Sequence, residues 1–158
     1  MNLKILIQQQ NWDQYPGPPH YQSAWVQTAL RSLQAAGSEP DAARAVAELQ
    51  DAAGNRHGSV LYPVTAPAAA VMIGIVELWR KEARAQALTS LCEIMQTEIF
   101  PGYETFEEDG QIVDAYEAIW RNIRHGLPIL RSIANEKQPW QFNRILARQV
   151  IEAVLNPD

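Results

Sequence analysis

Apolar residues recur along most of this chain at intervals of three and four, the spacing that lines one face of an α-helix. The first such stretch, about Tyr21–Ala36, follows a Pro16-Gly17-Pro18-Pro19 turn. It carries Trp25, Val26, Ala29, Leu30 and Leu33 on its apolar side, and Gly37 is placed to end it. Ser38 then caps a second helix with Pro40 and Asp41 in its first turn. Ala42, Val46, Leu49 and Ala53 share a face of that helix, and Gly54 closes it. The brief connection makes residues 21–54 an antiparallel helix pair. Residues 64–99 repeat the design. Thr65 reads as the cap of a helix to Arg80 with the stripe Ala68, Val71, Met72, Ile75, Leu78 and Trp79. Its partner, about Lys81–Ile99, shows Leu88, Leu91, Cys92, Met95 and Ile99 before Pro101-Gly102 stops it.

Residues 100–110 form an acidic connection, and helices resume over 111–155. Gln111–His125 is the cleanest amphipathic stretch, with Ile112, Val113, Tyr116, Ile119, Trp120 and Ile123 on one side. Gly126 and Pro128 break it, and Leu127–Asn135 and Pro139–Leu155 read as two further helices. No strand pattern is strong enough to build a sheet on. Within the N-terminal segment 1–20, Leu3–Ile7 reads either as a short strand or as a first helical turn. The 22 alanines favour helix throughout. The class expected is all-α, a single domain over 1–158. Arg44-x-x-Ala47, Arg84-x-x-Ala87 and Arg144-x-x-Ala147 each open the second helix of a pair. A period of about 40 residues built from helix pairs is the rhythm of a HEAT-like α-solenoid. Arg80 and Arg131 also have alanine three residues on, so the pairing of helices carries more weight than the tetrapeptide.

Composition narrows the function. With 47% apolar and 20% charged residues, the 158-residue chain is globular. A net charge of −5 argues against nucleic acid, which needs a basic face, and leaves a basic protein partner open. From Gly58 to Val76 no residue is charged, about the length a bilayer demands. Pro63, Pro67 and four alanines within it point instead to a loop entering a buried helix, so no membrane partner is expected. Leu3–Ile7 is short for an export signal and holds Lys4, which makes the cytoplasm the expected location.

Candidate chemistry is sparse. The chain has no Gly-x-Ser-x-Gly elbow, no phosphate-cradling glycine loop, no His-Glu-x-x-His pair and no Cys-x-x-Cys. His20, His57 and His125 lie far apart, each a loop or helix-end residue without a ligand partner at metal-binding spacing. Cys92, alone, falls on an apolar stripe and reads as an inert thiol. Asp114 and Glu117 share a helix face, but Arg121 four residues on explains Glu117 as half of a solvated ion pair. Trp12, Tyr15, Tyr21 and Trp25 read as packing around the first helix rather than as a ligand box. The expectation is therefore a non-enzymatic protein with no catalytic residue, no metal and no cofactor.

The acidic connection is the one segment with two balanced readings. Tyr103-Glu104-Thr105-Phe106-Glu107-Glu108-Asp109 alternates aromatics with carboxylates. It reads as a solvated loop or as a docking surface, with carboxylates steering a basic partner and Tyr103 and Phe106 as anchors. The candidate partner-binding residues are thus Tyr103, Glu104, Phe106, Glu107, Glu108 and Asp109.

Over Trp12 to Val76 the chain resembles a bacterial family of small HEAT-like helical proteins. The likeness rests on Trp12, Tyr15-Pro16-Gly17, Arg44-x-x-Ala47-x-Leu49, and above all on the stretch His57-Gly58-Ser59-Val60-Leu61-Tyr62-Pro63-Val64-Thr65-Ala66-Pro67. Pro16 interrupts the family's Tyr-Gly pair, and Gly58 follows His57 without the usual glutamine. Members are often encoded beside polymorphic toxins delivered between bacteria. The resemblance therefore implies an immunity protein that covers the active site of a cognate toxin with a basic surface. The alternatives are a HEAT-like scaffold and, from another class, a small-ligand pocket or enzyme built between helix pairs around Trp12, Tyr62 and His57. The His57–Pro67 loop itself reads first as structure, with Pro63, Thr65 and Pro67 shaping a helix entry and Tyr62 holding the loop to the first helix pair.

Overall fold

The computed structural model describes residues 7, 10–54, 60–137 and 141–156. A 3-10 turn at Trp12–Gln14 leads into α1 (Ser23–Ala35) and α2 (Glu39–Ala53). The second antiparallel pair is α3 (Thr65–Leu78) and α4 (Glu82–Met95), and α5 (Ala115–His125), α6 (Leu127–Ala134) and α7 (Gln141–Leu155) follow. The mostly helical class is as the sequence pattern predicts. His57 and its loop neighbours 55–59 lie outside the described residues.

α1 packs on α2, α2 on α4 and α4 on α7, while α3 lies against α4 and α5, and α6 against α7. α3 occupies the centre. Every residue from Thr65 to Val76 is buried, so the helix has no wet face and no stripe in the usual sense. That is why the uncharged run exists: a helix covered on all sides tolerates no unpaired charge. Among the described residues no helix is long and apolar enough to cross a membrane.

Several boundaries differ from the sequence pattern, each for a local reason. Thr65 is the first residue of α3 rather than its cap, and no side chain caps that end. α3 stops at Leu78, which is exposed, and Trp79 lies just beyond it. α1 buries Val26, Ala29, Leu30 and Leu33, but Trp25 is 49% exposed. With α2 its main helical neighbour, α1 hides only a narrow stripe, and Trp25 projects about 100° to one side of Val26. α2 follows expectation: the Ser38 hydroxyl accepts from the Asp41 N–H at 3.3 Å, and Gly54 takes a left-handed φ of 80°. A Cβ on Gly54 would sit 2.9 Å from Pro18 Cγ, so glycine is required there twice over.

The largest correction concerns strands. β1 (Val60–Leu61) pairs in parallel with β2 (Glu98–Ile99), which takes Ile99 out of the fourth helix. β3 (Thr105–Glu108) and β4 (Gln111–Asp114) form an antiparallel hairpin where a loop and the start of a helix were expected. Asp109 and Gly110 both have positive φ, 51° and 79°, the type I′ turn that suits the twist of a two-residue hairpin. α5 accordingly begins only at Ala115, with the Asp114 carboxylate accepting from the Glu117 N–H at 2.7 Å. Ile112 and Val113 belong to β4, not to the amphipathic helix face.

Two charged side chains brace the helix pairs against each other. Glu39, at the start of α2, accepts from the backbone N–H groups of Arg80, Lys81 and Ala83 at 2.8–3.1 Å and so caps α4. Arg84, 5% exposed, donates from Nε to the carbonyls of Val76 and Trp79 at the end of α3, and from Nη1 to both oxygens of Glu136 at 3.0 Å. Arg44, its counterpart in the first pair, is exposed and only meets Asp41 at 3.7 Å. The recurring Arg-x-x-Ala therefore does not repeat a structural role.

Candidate protein-binding site

The acidic segment is a folded hairpin, and its pleat sorts the candidate residues into two groups. The register pairs Phe106 with Val113 and Glu108 with Gln111, and Glu107 with Ile112. Alternation puts Phe106 and Glu108 on the face toward the body and Glu107 on the other. Phe106 is 4% exposed and its ring lies 5.5 Å from that of Tyr15. An aromatic so placed holds the hairpin down and is not available as an anchor for a partner. Tyr103 is half-buried in a cluster with Tyr62 and Phe100, at centroid distances of 5.1 and 5.8 Å. Tyr62 also stacks on Phe100 at 5.5 Å, so it ties the β1 loop to the segment after α4 rather than to the first helix pair alone.

The carboxylates divide in the same way. Glu108 accepts from the Tyr15 hydroxyl at 2.8 Å and from Arg121 Nη2 at 3.0 Å. Burial, and then the hydrogen bond to Glu108, push the Tyr15 phenol up to about 12, so it stays a donor at all ordinary pH. Glu104 accepts from the Gly102 N–H through both oxygens, at 3.0 and 2.9 Å, and these backbone hydrogen bonds hold its carboxyl below its usual range. Glu107 and Asp109 are exposed. Of the six candidates, these two present charge outward with no structural duty in their side chains among the contacts described.

Apolar surface accompanies them. Ile112, opposite Glu107, is 74% exposed, and Tyr116 at the start of α5 is 42% exposed with its ring 5.4 Å from Trp120. A hollow of about 360 Å³ opens beside Tyr116, walled by Met95, Thr97, Glu98, Trp120 and Ala153. Arg124 covers Trp120 at 5.9 Å and pairs with Glu117 at 2.9 Å. The expected Glu117–Arg121 pair is thus not formed: Arg121 turns to Glu108, and Glu117 finds Arg124 two turns on.

Of the residues considered for other chemistry, Cys92 is half-buried, and burial pushes its thiol up to about 11, which keeps it protonated and unreactive. His20 and His125 are exposed and separate, and among the described residues no three His, Cys, Asp or Glu groups gather as a metal site. Of the aromatic set, Trp12 and Tyr15 are buried, Tyr21 is half-buried with its hydroxyl on the Trp12 carbonyl at 3.2 Å, and Trp25 is exposed. What the fold and site define is a helical protein with a braced acidic hairpin. The chain matches no family model, no curated protein and no solved structure.

Proposed function

We propose that this chain is an immunity protein, a non-enzymatic binder that neutralises a cognate bacterial toxin by covering its active site. The observation that supports a binding surface is the hairpin. Its inner face is fixed to the body through Phe106, Tyr15, Glu108 and Arg121, while its outer face offers Glu107, Asp109 and the exposed Ile112. A rigid support loses little entropy on binding, and an exposed isoleucine beside carboxylates suits a partner with a basic rim around an apolar contact. The toxin itself comes from the family resemblance, its basic surface from the net charge of −5 and the acidic hairpin, and a cytoplasmic setting is part of the same proposal. A HEAT-like solenoid is part of the same proposal, supported by the succession of second helices α2, α4 and α7 in contact. α5 would then be an addition that covers the outer side of α3.

The test is capture of the partner at high salt with a tagged chain, followed by co-expression with it. The expected result is one stoichiometric partner whose toxicity the chain suppresses. The double variant Glu107→Lys, Asp109→Asn should bind it at least tenfold more weakly at low salt, chiefly through a slower on-rate, with an unchanged fold. Glu104 and Glu108 are left intact because both hold backbone or side-chain partners. A stoichiometric partner that is harmless to the host would replace immunity with a scaffold role. Unaltered affinity of the double variant would remove the hairpin from the interface.

A further inference from the structure

The hollow of about 360 Å³ beside Tyr116 lies at the foot of the hairpin, because Tyr116 sits in the first turn of α5, directly after β4. The C-terminal ends of two helices border it, with Met95 and Gln96 at the end of α4 and Ala153 and Asn156 at the end of α7. The last carbonyls of a helix have no partner within it and carry partial negative charge. Neither helix has a basic residue in its last turn, and no lysine or arginine lines the hollow. Glu98 is the one charged side chain on its wall. It is exposed and pairs with no cation among the described residues.

The groups around Glu98 favour a ligand that donates. The Thr97 hydroxyl spends its hydrogen on the Glu93 carbonyl at 2.7 Å, so toward a ligand it can only accept. Asn156 Nδ2 donates to the Glu152 carbonyl at 3.4 Å, which leaves Oδ1 as the unpartnered end. Tyr116, 42% exposed, adds an aromatic ring, and Met95 and Ala153 add half-buried apolar wall. An ammonium would answer the charge alone. A guanidinium answers the ring as well, because it is planar, carries five donors, forks onto a carboxylate and stacks on an aromatic face. Its aliphatic stem suits the apolar wall. Glu107 and Asp109, outward on the hairpin, carry the same sign as Glu98, so one basic partner fits both.

We propose that this hollow seats an arginine side chain of the protein partner, with the guanidinium toward Glu98 and the Tyr116 ring and the stem against Met95. The proposal rests on the reading of the chain as a binder of a basic protein, and adds to it the residue type that the partner presents.

The experiment needs only the chain itself. The backbone ¹⁵N–H signals of Thr97, Glu98 and Asn156 are followed during titration with N-acetyl-arginine amide at constant ionic strength. N-acetyl-citrulline amide, of the same shape but uncharged, is the control. The expected result is a saturable shift with the arginine amide and none with the citrulline amide. Glu98→Gln should raise the arginine-amide Kd about fivefold, as loss of an exposed charge contact does. Tyr116→Leu should raise it about threefold, through loss of the aromatic face. Both side chains are exposed, so the variants keep the fold. Signals that do not move, equal shifts with the citrulline amide, or an unchanged Kd in Glu98→Gln each overturn the proposal. Tighter binding of free arginine than of the blocked amide assigns the hollow to the amino acid and overturns it as well. The immunity reading is decided separately, by capture and co-expression, so the two failures are told apart.

Discussion

α3 and the β3–β4 hairpin are made from opposite materials and placed accordingly. α3 is uncharged over its buried length and touches protein on every side, from Thr65 to Val76. The hairpin, eight strand residues and a two-residue turn, buries Phe106 fully and leaves Ile112 in water. Over that length the first has no surface with which to bind anything. The second is too small to be stable alone and exists because Phe106, Tyr15, Glu108 and Arg121 fasten it to the helices. The buried body and the exposed outer face of the hairpin are thus separated in space, with α5 as the joint: it covers α3 on one side and continues directly from β4 on the other.

The sharpest way to break this division is at the joint. Trp120 is 3% exposed on α5, and Trp120→Ala should cost about 3–5 kcal/mol in urea unfolding, as large aromatic truncations in cores do. A loss below about 1 kcal/mol would mean that α5 does not cover the core. A smaller effect is expected at Gly126, between α5 and α6. A Cβ there would come within 2.5 Å of Ile73 Cδ1, and Ile73 is fully buried in α3 with no room to turn away. Gly126→Ala should therefore cost about 1–3 kcal/mol by overpacking. Ile73→Val in the same chain should restore part of it, because it removes Cδ1, the closest of the clashing atoms.

How much of this was legible in the sequence follows the same division. The period of three and four marks α1, α2, α4 and the buried half of α5, because each has one wet face and one dry one. α3 was legible as buried from its lack of charge, although its stripe was not, since a fully covered helix has no stripe. The hairpin was missed for a physical reason. Gln111-Ile112-Val113-Asp114 runs straight into Ala115–His125, and Ile112 and Tyr116, four apart, fit a helical face as well as a strand does. The Asp109-Gly110 pair was the available signal for a turn of this type, but neither Thr105–Glu108 nor Gln111–Asp114 alternates apolar and polar residues strictly enough to mark a strand. The bond from Tyr15 to Glu108 spans 93 residues, and no local pattern encodes it. The acidic composition of the candidate site was visible, but which carboxylates face inward depends on that pairing.

That long-range bond gives a pH signature. The Tyr15 phenol titrates near 10 when unfolded and about 12 when folded, raised by burial first and then by Glu108. A raised pKa means that the folded state holds its proton longer, so the contribution is complete below pH 10 and is lost as pH climbs toward 12. Tyr21 is raised to about 12 as well, by burial and then by Asp13, and adds a slope of the same sign. Urea midpoints between about pH 8 and 11.5 should therefore fall above pH 10 in wild type and fall less steeply, though still fall, in Tyr15→Phe. An identical slope in the two proteins would mean that Tyr15 is neither buried nor held by Glu108 in solution.

The smallest effect expected is the most informative about function. Ile112→Thr keeps a β-branched residue in β4 and removes one exposed apolar group, so stability should change by no more than about 0.5 kcal/mol. Core logic would assign a buried isoleucine several times that cost, as it does for residues on α3. If the urea midpoint drops markedly, Ile112 is covered in the free protein and the outer face of the hairpin is not an open surface. If it holds while affinity for the captured partner falls, the isoleucine serves recognition and not folding. The contrast between a silent stability measurement and a weakened complex is then the direct sign that this hairpin was kept for its outer face.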